Sequence, residues 1–535
     1  MPSSIFVGSN PHEHTPMTKD LHTLIKSLTS SEKGYVKKHS VVHVIGDQNK
    51  YIKLFDAIDK QKEYDEKEII QKFADDPILN NFSVAKKYLF RFILKCLESY
   101  NTNAKTELRS ILNHIEILHN KNLPVIAKKL LAKAKITAQQ YELYEFMEEI
   151  IDWEIIFIVE EANSQNYLEL VNKYFGELYD SIEKKKTIIG YKHLYQKLRA
   201  KALYMGLPRN DEDVLEFQKI ADMVNNNDAN LLSTFNAQFY RNLMQANFLF
   251  VSNEHKQANE LMEKNVRLME EFPHMIDLKP GIYLGMLRNK AVNELSLMRY
   301  KPLFDTIRKM DTFVGKYGHI NRYFEVMSEN LKLFVYIPTG QFSEALKIAQ
   351  KLDAVYKQLP PTKTLTKERQ LQHYAFAYIY IALEDYKLAN QHINSLLNNH
   401  EFDIRSDLFC FGQILSLIIH FELGNVELLD YRARSTYNLL LKRNQLYEFE
   451  KQIIVFLKNT KSMTRNSPEI RQAFIELKES IERITKNNKL EKNALSLFDL
   501  ISWLESKIEG KSFIQIKQEK FNQLLSSEGA NAHMH

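Results

Sequence analysis

The sequence is poor in the residues that make turns. Among 535 residues there are only 15 glycines and 13 prolines, well under average usage of about 7% and 5%. A sheet protein of this length needs many tight turns, so strands are not expected to be the main element. Cysteine is scarcer still. Cys96 and Cys410 sit far apart in apolar contexts, which excludes a disulfide framework and points to two small buried hydrophobes in a reducing compartment. No apolar run reaches the ~18 residues that mark a membrane-spanning helix. The longest, 150–159 and 414–421, are short and interrupted or flanked by acids. Residues 1–8 lack the charged and apolar regions of a secretory signal. No membrane role is expected, and the cytoplasm is the expected location.

What is present suits a folded helical protein. Hydrophobic residues make up 44% and charged residues 26% of the chain, enough for a core and a solvated surface. The net charge of +5 is small for this length but unevenly spread. Residues 1–140 carry about 22 Lys/Arg against 15 Asp/Glu, and residues 141–280 about 15 against 24. Such clusters are either solvated helix faces or complementary contact surfaces.

Residues 1–17 have no apolar period and are expected to be a mobile tail. Between 18 and 104, short helices are predicted. Leu21, Leu24, Ile25 and Leu28 follow the i, i+3, i+4, i+7 rule, and Thr29-Ser-Ser-Glu32 has the form of a capping box. Segment 40–45 reads as strand or helix. Helices are predicted over 66–73 and 83–100, around the loop 74–81. In the second, Lys87, Arg91 and Lys95 share one face while Leu89, Phe92, Ile93, Cys96, Leu97 and Tyr100 form another. That layout fits a polar end cap of a repeat array or a DNA-reading helix-turn-helix. The loop is longer than the usual three- or four-residue turn and favours the cap.

From residue 105 a helix-turn-helix unit recurs. Its clearest copy ends one helix at Tyr336, turns at Pro338 and Gly340, and begins a second helix carrying Ala345 and Ala349. Aligning second helices on the small or aliphatic residue after such a turn gives Ile126, Leu170, Leu215, Ala258, Leu303, Ala345, Ala389, Leu429 and Ala473, spaced 40 to 45 residues apart. Regular spacing of this kind marks an array of stacked hairpins. Turns ahead of the anchors support it, among them 163–166, 208–211, 252–253 and 424–425.

The stretch Gly340-Gln-Phe342-Ser-Glu-Ala345, with Tyr336 before it and Ala349 after it, resembles the Gly-x-Tyr-x-x-Ala core of tetratricopeptide repeats. Ala377, Tyr380, Tyr386 and Ala389 reproduce the pattern with Glu384-Asp385 in place of the glycine. The match covers 240–430 best and extends more weakly over 110–485. Its period exceeds the family's 34, and the leading Trp and closing Pro are mostly missing; longer-helix variants of the family or HEAT-type arrays of similar period accommodate this. The resemblance implies an all-α superhelix of about eight or nine hairpins, in which small residues let helices approach and aromatics fill the gaps. The expected organisation is a tail (1–17), a helical cap (18–104), the array (105–485), capping helices (486–525) and a disordered tail (526–535). Ser467-Pro468-Glu469 opens a helix. A last amphipathic helix over 494–508 stops at Gly510, and 513–516 covers the final edge.

Reaction chemistry is missing from the motifs. His12/His14, His39/His43 and His533/His535 are the nearest to metal-ligand spacing, and none brings a third ligand. Phosphate-loop, nucleophile-elbow and dinucleotide glycine patterns are absent, and 315–318 lacks cradle spacing. The acids Asp211, Glu212 and Asp213 suit a helix N-terminus. No catalytic residue, cofactor or metal is expected. Aromatics are plentiful, with 27 Tyr and 31 Phe. On the aligned repeats Arg288, Asn330, Tyr374 and Tyr378 fall on first helices facing the concave groove, where such side chains suit holding an extended peptide. The expected function is a non-catalytic scaffold that binds a protein or peptide. The alternative is a transcriptional regulator with a basic DNA-binding N-terminal segment and a repeat sensor.

Overall fold

The computed structural model describes residues 17–42, 48–161, 166–223, 233–317, 323–358, 363–398, 406–460, 463, 467–488 and 490–532. Among the described residues all regular structure is helical. The chain divides into two compact units, 1–137 and 138–535. Residues 1–16 of the tail expected at 1–17, the turn residues 163–165, and His12, His14, His43, His533 and His535 lie outside the described residues.

The first unit holds α1 (Met17–Ser27), α2 (Ser30–Val42), α3 (Gln48–Lys60), α4 (Glu66–Lys72), α5 (Phe82–Tyr100) and α6 (Ala104–Asn120). Helix α7 (Pro124–Gln140) crosses the division. The apolar core of this unit comes from residues 21–96, including Leu21, Ile25, Phe55, Ile58, Leu89 and Ile93. The capping box forms as the spacing requires. Thr29 N donates to the Glu32 carboxylate at 2.8 Å, and Glu32 N donates to Thr29 Oγ1 at 3.2 Å. The ambiguous stretch at 40–45 is helical as far as Val42, where α2 ends. Cys96 and Cys410 are both buried and unbridged.

The second unit opens with α8 (Met147–Glu161), the long α9 (Tyr167–Met205) and α10 (Asp211–Asp222). Paired helices follow. They are α11 (Phe235–Val251) with α12 (His255–Glu271), then, after the short α13 (Pro273–Leu278), α14 (Pro280–Ser296) with α15 (Tyr300–Tyr317). Next come α16 (Tyr323–Tyr336) with α17 (Phe342–Gln358), and α18 (Lys363–Ala382) with α19 (Tyr386–Leu397). The last pairs are α20 (Ser406–Leu423) with α21 (Val426–Lys442), and α22 (Glu448–Thr460) with α23 (Pro468–Asn487). Each pair packs on the next, and α24 (Leu500–Glu509) and α25 (Phe513–Ala532) close the chain. This is an α-α superhelix of helical hairpins.

One backbone device makes the joints. Asn253, Met298, Gly340, Glu384 and Gly424 all have left-handed φ, between 56° and 74°. They are spaced 45, 42, 44 and 40 residues apart, so the repeat period is written in backbone geometry. At every one the following amide reaches back to close the helix. Glu254 N donates to Leu249 O at 2.8 Å, Arg299 N to Glu294 O at 2.9 Å and Gln341 N to Tyr336 O at 2.9 Å. Asp385 N donates to Tyr380 O at 2.9 Å and Asn425 N to His420 O at 3.0 Å. This is the Schellman closure, which satisfies carbonyls that a helix end leaves unpaired.

The aligned anchors divide accordingly. Ala258, Leu303, Ala345, Ala389 and Leu429 are buried on second helices of their pairs. Ile126 and Leu215 are 49% and 58% exposed, so neither is a hairpin anchor. The register is lost there because α9 runs unbroken for 39 residues where a hairpin of this period would turn.

The unit's first and last parts are tied by polar contacts. Arg209, in the α9–α10 joint, pairs with Glu450 of α22 at 3.0 Å and with Glu491 at 2.7 Å, and its guanidinium lies 4.4 Å from the Tyr447 ring centre. Asn493 Nδ2 donates to Pro208 O at 2.7 Å. Gly206 has φ 77°, and a Cβ there would come within 2.7 Å of Asp407. The disorder expected from 526 is corrected as far as Ala532, where α25 ends. Its half-buried Phe521 and Leu524 pack on the unit's apolar core and support the helix upstream.

Candidate functional site

The four groove residues lie on first helices, as the repeat alignment placed them, but they do not share one open surface. Arg288 is exposed on α14. Asn330 on α16 turns to its own hairpin and donates to Tyr356 Oη at 2.9 Å. Tyr374 and Tyr378 are one turn apart on α18 and each only 7% exposed. What covers them is the chain's own C-terminal segment. Tyr374 Oη donates to Leu497 O at 3.2 Å, and Tyr378 Oη accepts from Asp499 N at 3.1 Å. Burial, then the Asp499 charge, pushes the Tyr378 phenol far above its ordinary pKa, so it stays a neutral hydrogen-bonding group.

The groove is built from the hairpin joints, because the same turn recurs at each step and leaves the ends of first and second helices in a row. Tyr300 opens α15, Phe342 opens α17, Tyr378 lies in the last turns of α18, and Phe421 and Glu422 end α20. Along this row runs residues 490–525. Phe498 and Phe513 stack on each other with ring centres 5.8 Å apart, and Tyr378 meets both, at 4.8 and 6.2 Å. Phe513 also meets Phe342 at 5.9 Å, and Phe521 packs edge-on against Tyr300 at 4.8 Å. Trp503 Nε1 donates to Glu422 at 2.8 Å. Gln518 Nε2 donates to Gly340 O at 3.3 Å, and a Cβ on Gly340 would meet Gln518 and Lys517 at 3.1 Å. The turn glycine therefore serves two needs, its left-handed φ and the close approach of α25.

Charge completes the arrangement. Lys517 pairs with Asp499 at 2.7 Å, Lys520 with Glu505 at 2.5 Å and Lys507 with Glu422 at 2.6 Å. Burial opposes ionisation of Asp499, but the Lys517 charge, its hydrogen bond and the Ser502 amide prevail and hold the carboxyl below its usual range. Glu505 is likewise lowered, against burial, by Lys478 and Lys520.

His373 and His392 face each other through Nδ1 at 3.2 Å with Phe376 and Tyr380 stacked on His392. Burial lowers the pKa of both. A cavity of about 120 Å³, lined by His420, Asn425, Val426, Leu429 and Thr460, has room for a few waters at ~30 Å³ each. Asn425 Nδ2 donates to His420 Nδ1 at 3.1 Å, which puts the ring proton on the unpartnered, buried Nε2. Burial, then Arg432, lowers the His420 pKa to about 4. Among the described residues no group of three His, Cys, Asp or Glu side chains could hold a metal, and no helix is long and apolar enough to cross a membrane. His39 of the central pair packs against the Tyr35 ring at 4.1 Å. On α5, Lys87, Arg91 and Lys95 are exposed, opposite buried Leu89, Ile93 and Cys96. Asn210 caps α10, whose first turn carries Asp211, Glu212 and Asp213.

Sequence reasoning missed Tyr300, Gly340 and Glu422 as groove residues, since joints were read as packing alone. It also missed the groove's occupant. The available signal was the run of Phe498, Phe513 and Phe521, interleaved with Lys507, Lys517 and Lys520.

No known protein family matches the chain, and no curated protein matches it. Among solved structures it is similar to the apo form of the quorum sensor NprR from B. thuringiensis. The identity is 14%, over 67% of this chain and 99% of that one, with a TM-score of 0.37. A likeness at that level carries no functional argument.

Proposed function

We propose that the chain is a non-catalytic, tetratricopeptide-like scaffold of a reducing compartment that binds a protein or peptide through the groove at its hairpin joints. One observation carries the reading. The groove holds a polypeptide by its backbone, with Tyr374 donating to the carbonyl of Leu497 and Tyr378 accepting from the amide of Asp499. Contacts of that kind are indifferent to side chains, and neighbouring aromatic pockets add the selectivity. The occupant here belongs to the same chain, but the chemistry is that of peptide recognition. The small residues Ala345, Ala349 and Ala389, buried on second helices, support the tetratricopeptide-like assignment.

The test is site-specific photo-cross-linking in the cells that make the protein, with a photoreactive phenylalanine analogue at Phe342 or Tyr300 of the full chain. The reading expects cross-links to a second protein at both positions. Cross-links confined to residues 490–525 of the same chain, under every growth condition, would overturn it.

A further inference from the structure

The last two helices fill the joint groove in different ways. Helix α24 is core: Leu500, Trp503 and Leu504 are wholly buried. Helix α25 is a strap, with Phe513, Ile516 and Lys517 buried and its remaining described side chains half-buried or exposed. We propose that α25 is a displaceable occupant. Its place is taken by an amphipathic helix of a partner protein bearing two large aromatic residues eight positions apart with a lysine or arginine midway. The proposal rests on the peptide-binding reading above and names its partner class.

Spacing supports the pattern. Phe513 sits at the joint that Phe342 opens, and Phe521 at the preceding joint, which Tyr300 opens. Eight residues of helix rise ~12 Å, and over that length α25 passes from the Phe342 joint to the Tyr300 joint. A helix lying across the joints therefore drops one aromatic into each step. Between them Lys517 meets Asp499, and one turn on Lys520 meets Glu505 and Ser502. The acids belong to α24 and its cap, which stay in place when α25 leaves; Glu505 keeps Lys478, and the uncovered Asp499 carboxylate selects a cationic helix. A hinge is available as well. Gly510 has φ 67°, and a Cβ there would meet nothing within 4 Å, so the chain turns at 510 in open space.

Linkage fixes the test. An external helix competes with α25, so its apparent affinity rises as α25 is loosened. A fluorescein-labelled peptide of residues 511–528 is titrated by anisotropy into the full-length protein and into its Lys517→Ala/Lys520→Ala variant. We expect uptake at least about tenfold tighter by the variant, lost when the peptide carries Phe513→Ala and Phe521→Ala, and lost again when Tyr300→Ala is added to the protein. Should the variant not fold, excess peptide on the wild-type chain is expected to speed hydrogen exchange in its own α25. No tightening in a folded variant, equal binding of the Phe-less peptide, or no acceleration of exchange would overturn the proposal. A dimer of the variant in light scattering would do so too, since a second copy would then be the occupant. Failure here, with cross-linked partners still found at Phe342, leaves the peptide-binding reading standing. Peptide uptake without any cross-linked partner overturns the peptide-binding reading and the partner helix with it, and leaves only a displaceable α25.

Discussion

Helices α24 and α25 are separated by residues 510–512 alone, yet different forces hold them. Trp503 of α24 is enclosed edge-on by Phe421 and Phe474, at 6.4 and 5.7 Å, with its indole donor satisfied by Glu422. Helix α25 relies on two aromatic residues, Phe513 and Phe521, on the buried Ile516 and on a row of lysine–carboxylate pairs. Apolar burial scales with area and is shared with the whole core. Partly exposed ion pairs are weak, local and sensitive to pH and salt. The difference teaches that one groove can hold a structural element and a removable one side by side.

The strongest way to break that contrast is at Trp503. Trp503→Ala should cost about 3–5 kcal/mol and lower the melting temperature of the whole second unit. A loss confined to residues 513–525 would mean that α24 is as peripheral as its neighbour. Acid comes next and separates the His420 cavity from the strap. The folded-state pKa of His420 is depressed to about 4, so the unfolded chain takes up the proton first. Its contribution is complete above the ordinary value of about 6.5 and is lost as pH falls towards 4. Asp499 and Glu505 are held below the usual carboxylate range, so the strap's ion pairs survive to about pH 4 and fail beneath it. Urea midpoints from pH 7 to 4 should fall for the wild type and flatten for His420→Asn.

Gly340→Ala is the sharper probe of the strap. Its left-handed φ costs a side chain about 1–2 kcal/mol, and the added Cβ pushes on Lys517 and Gln518. Melting should show that modest loss, with hydrogen exchange rising most in α25. Lys520→Ala is the smallest, below about 1 kcal/mol, with an unchanged melting temperature. A fall of several degrees would make the strap part of the cooperative core.

The repeat and its period were legible in the sequence wherever small residues mark the second helix, as at Ala258, Ala345 and Ala389. The joints themselves were legible at Ser252-Asn253, Gly340, Glu384-Asp385 and Gly424, and missed at Met298. Met298 takes the same left-handed conformation, and nothing in a methionine announces it, since the Schellman closure imposes it from the helices on either side. Upstream, the alignment counted Ile126 and Leu215 as anchors because aliphatic residues at helical spacing look alike whether they face a core or solvent. Of the site, Tyr374 and Tyr378 were named from the repeat alignment, as open groove residues and not as the covered ones they are. The groove's occupant was not, because contacts such as Tyr374 to Leu497 and Tyr300 to Phe521 join residues more than a hundred positions apart and no local period records them.

The most direct measurement is native-state hydrogen exchange on the full-length protein at neutral pH, resolved by peptide fragments. Amides of 513–525 should exchange through a local opening, at rates independent of added sub-denaturing urea, while those of 500–509 exchange only with global unfolding and follow its urea dependence. If both segments exchange together, with the same free energy and the same dependence on urea, α25 is no strap and the account is contradicted.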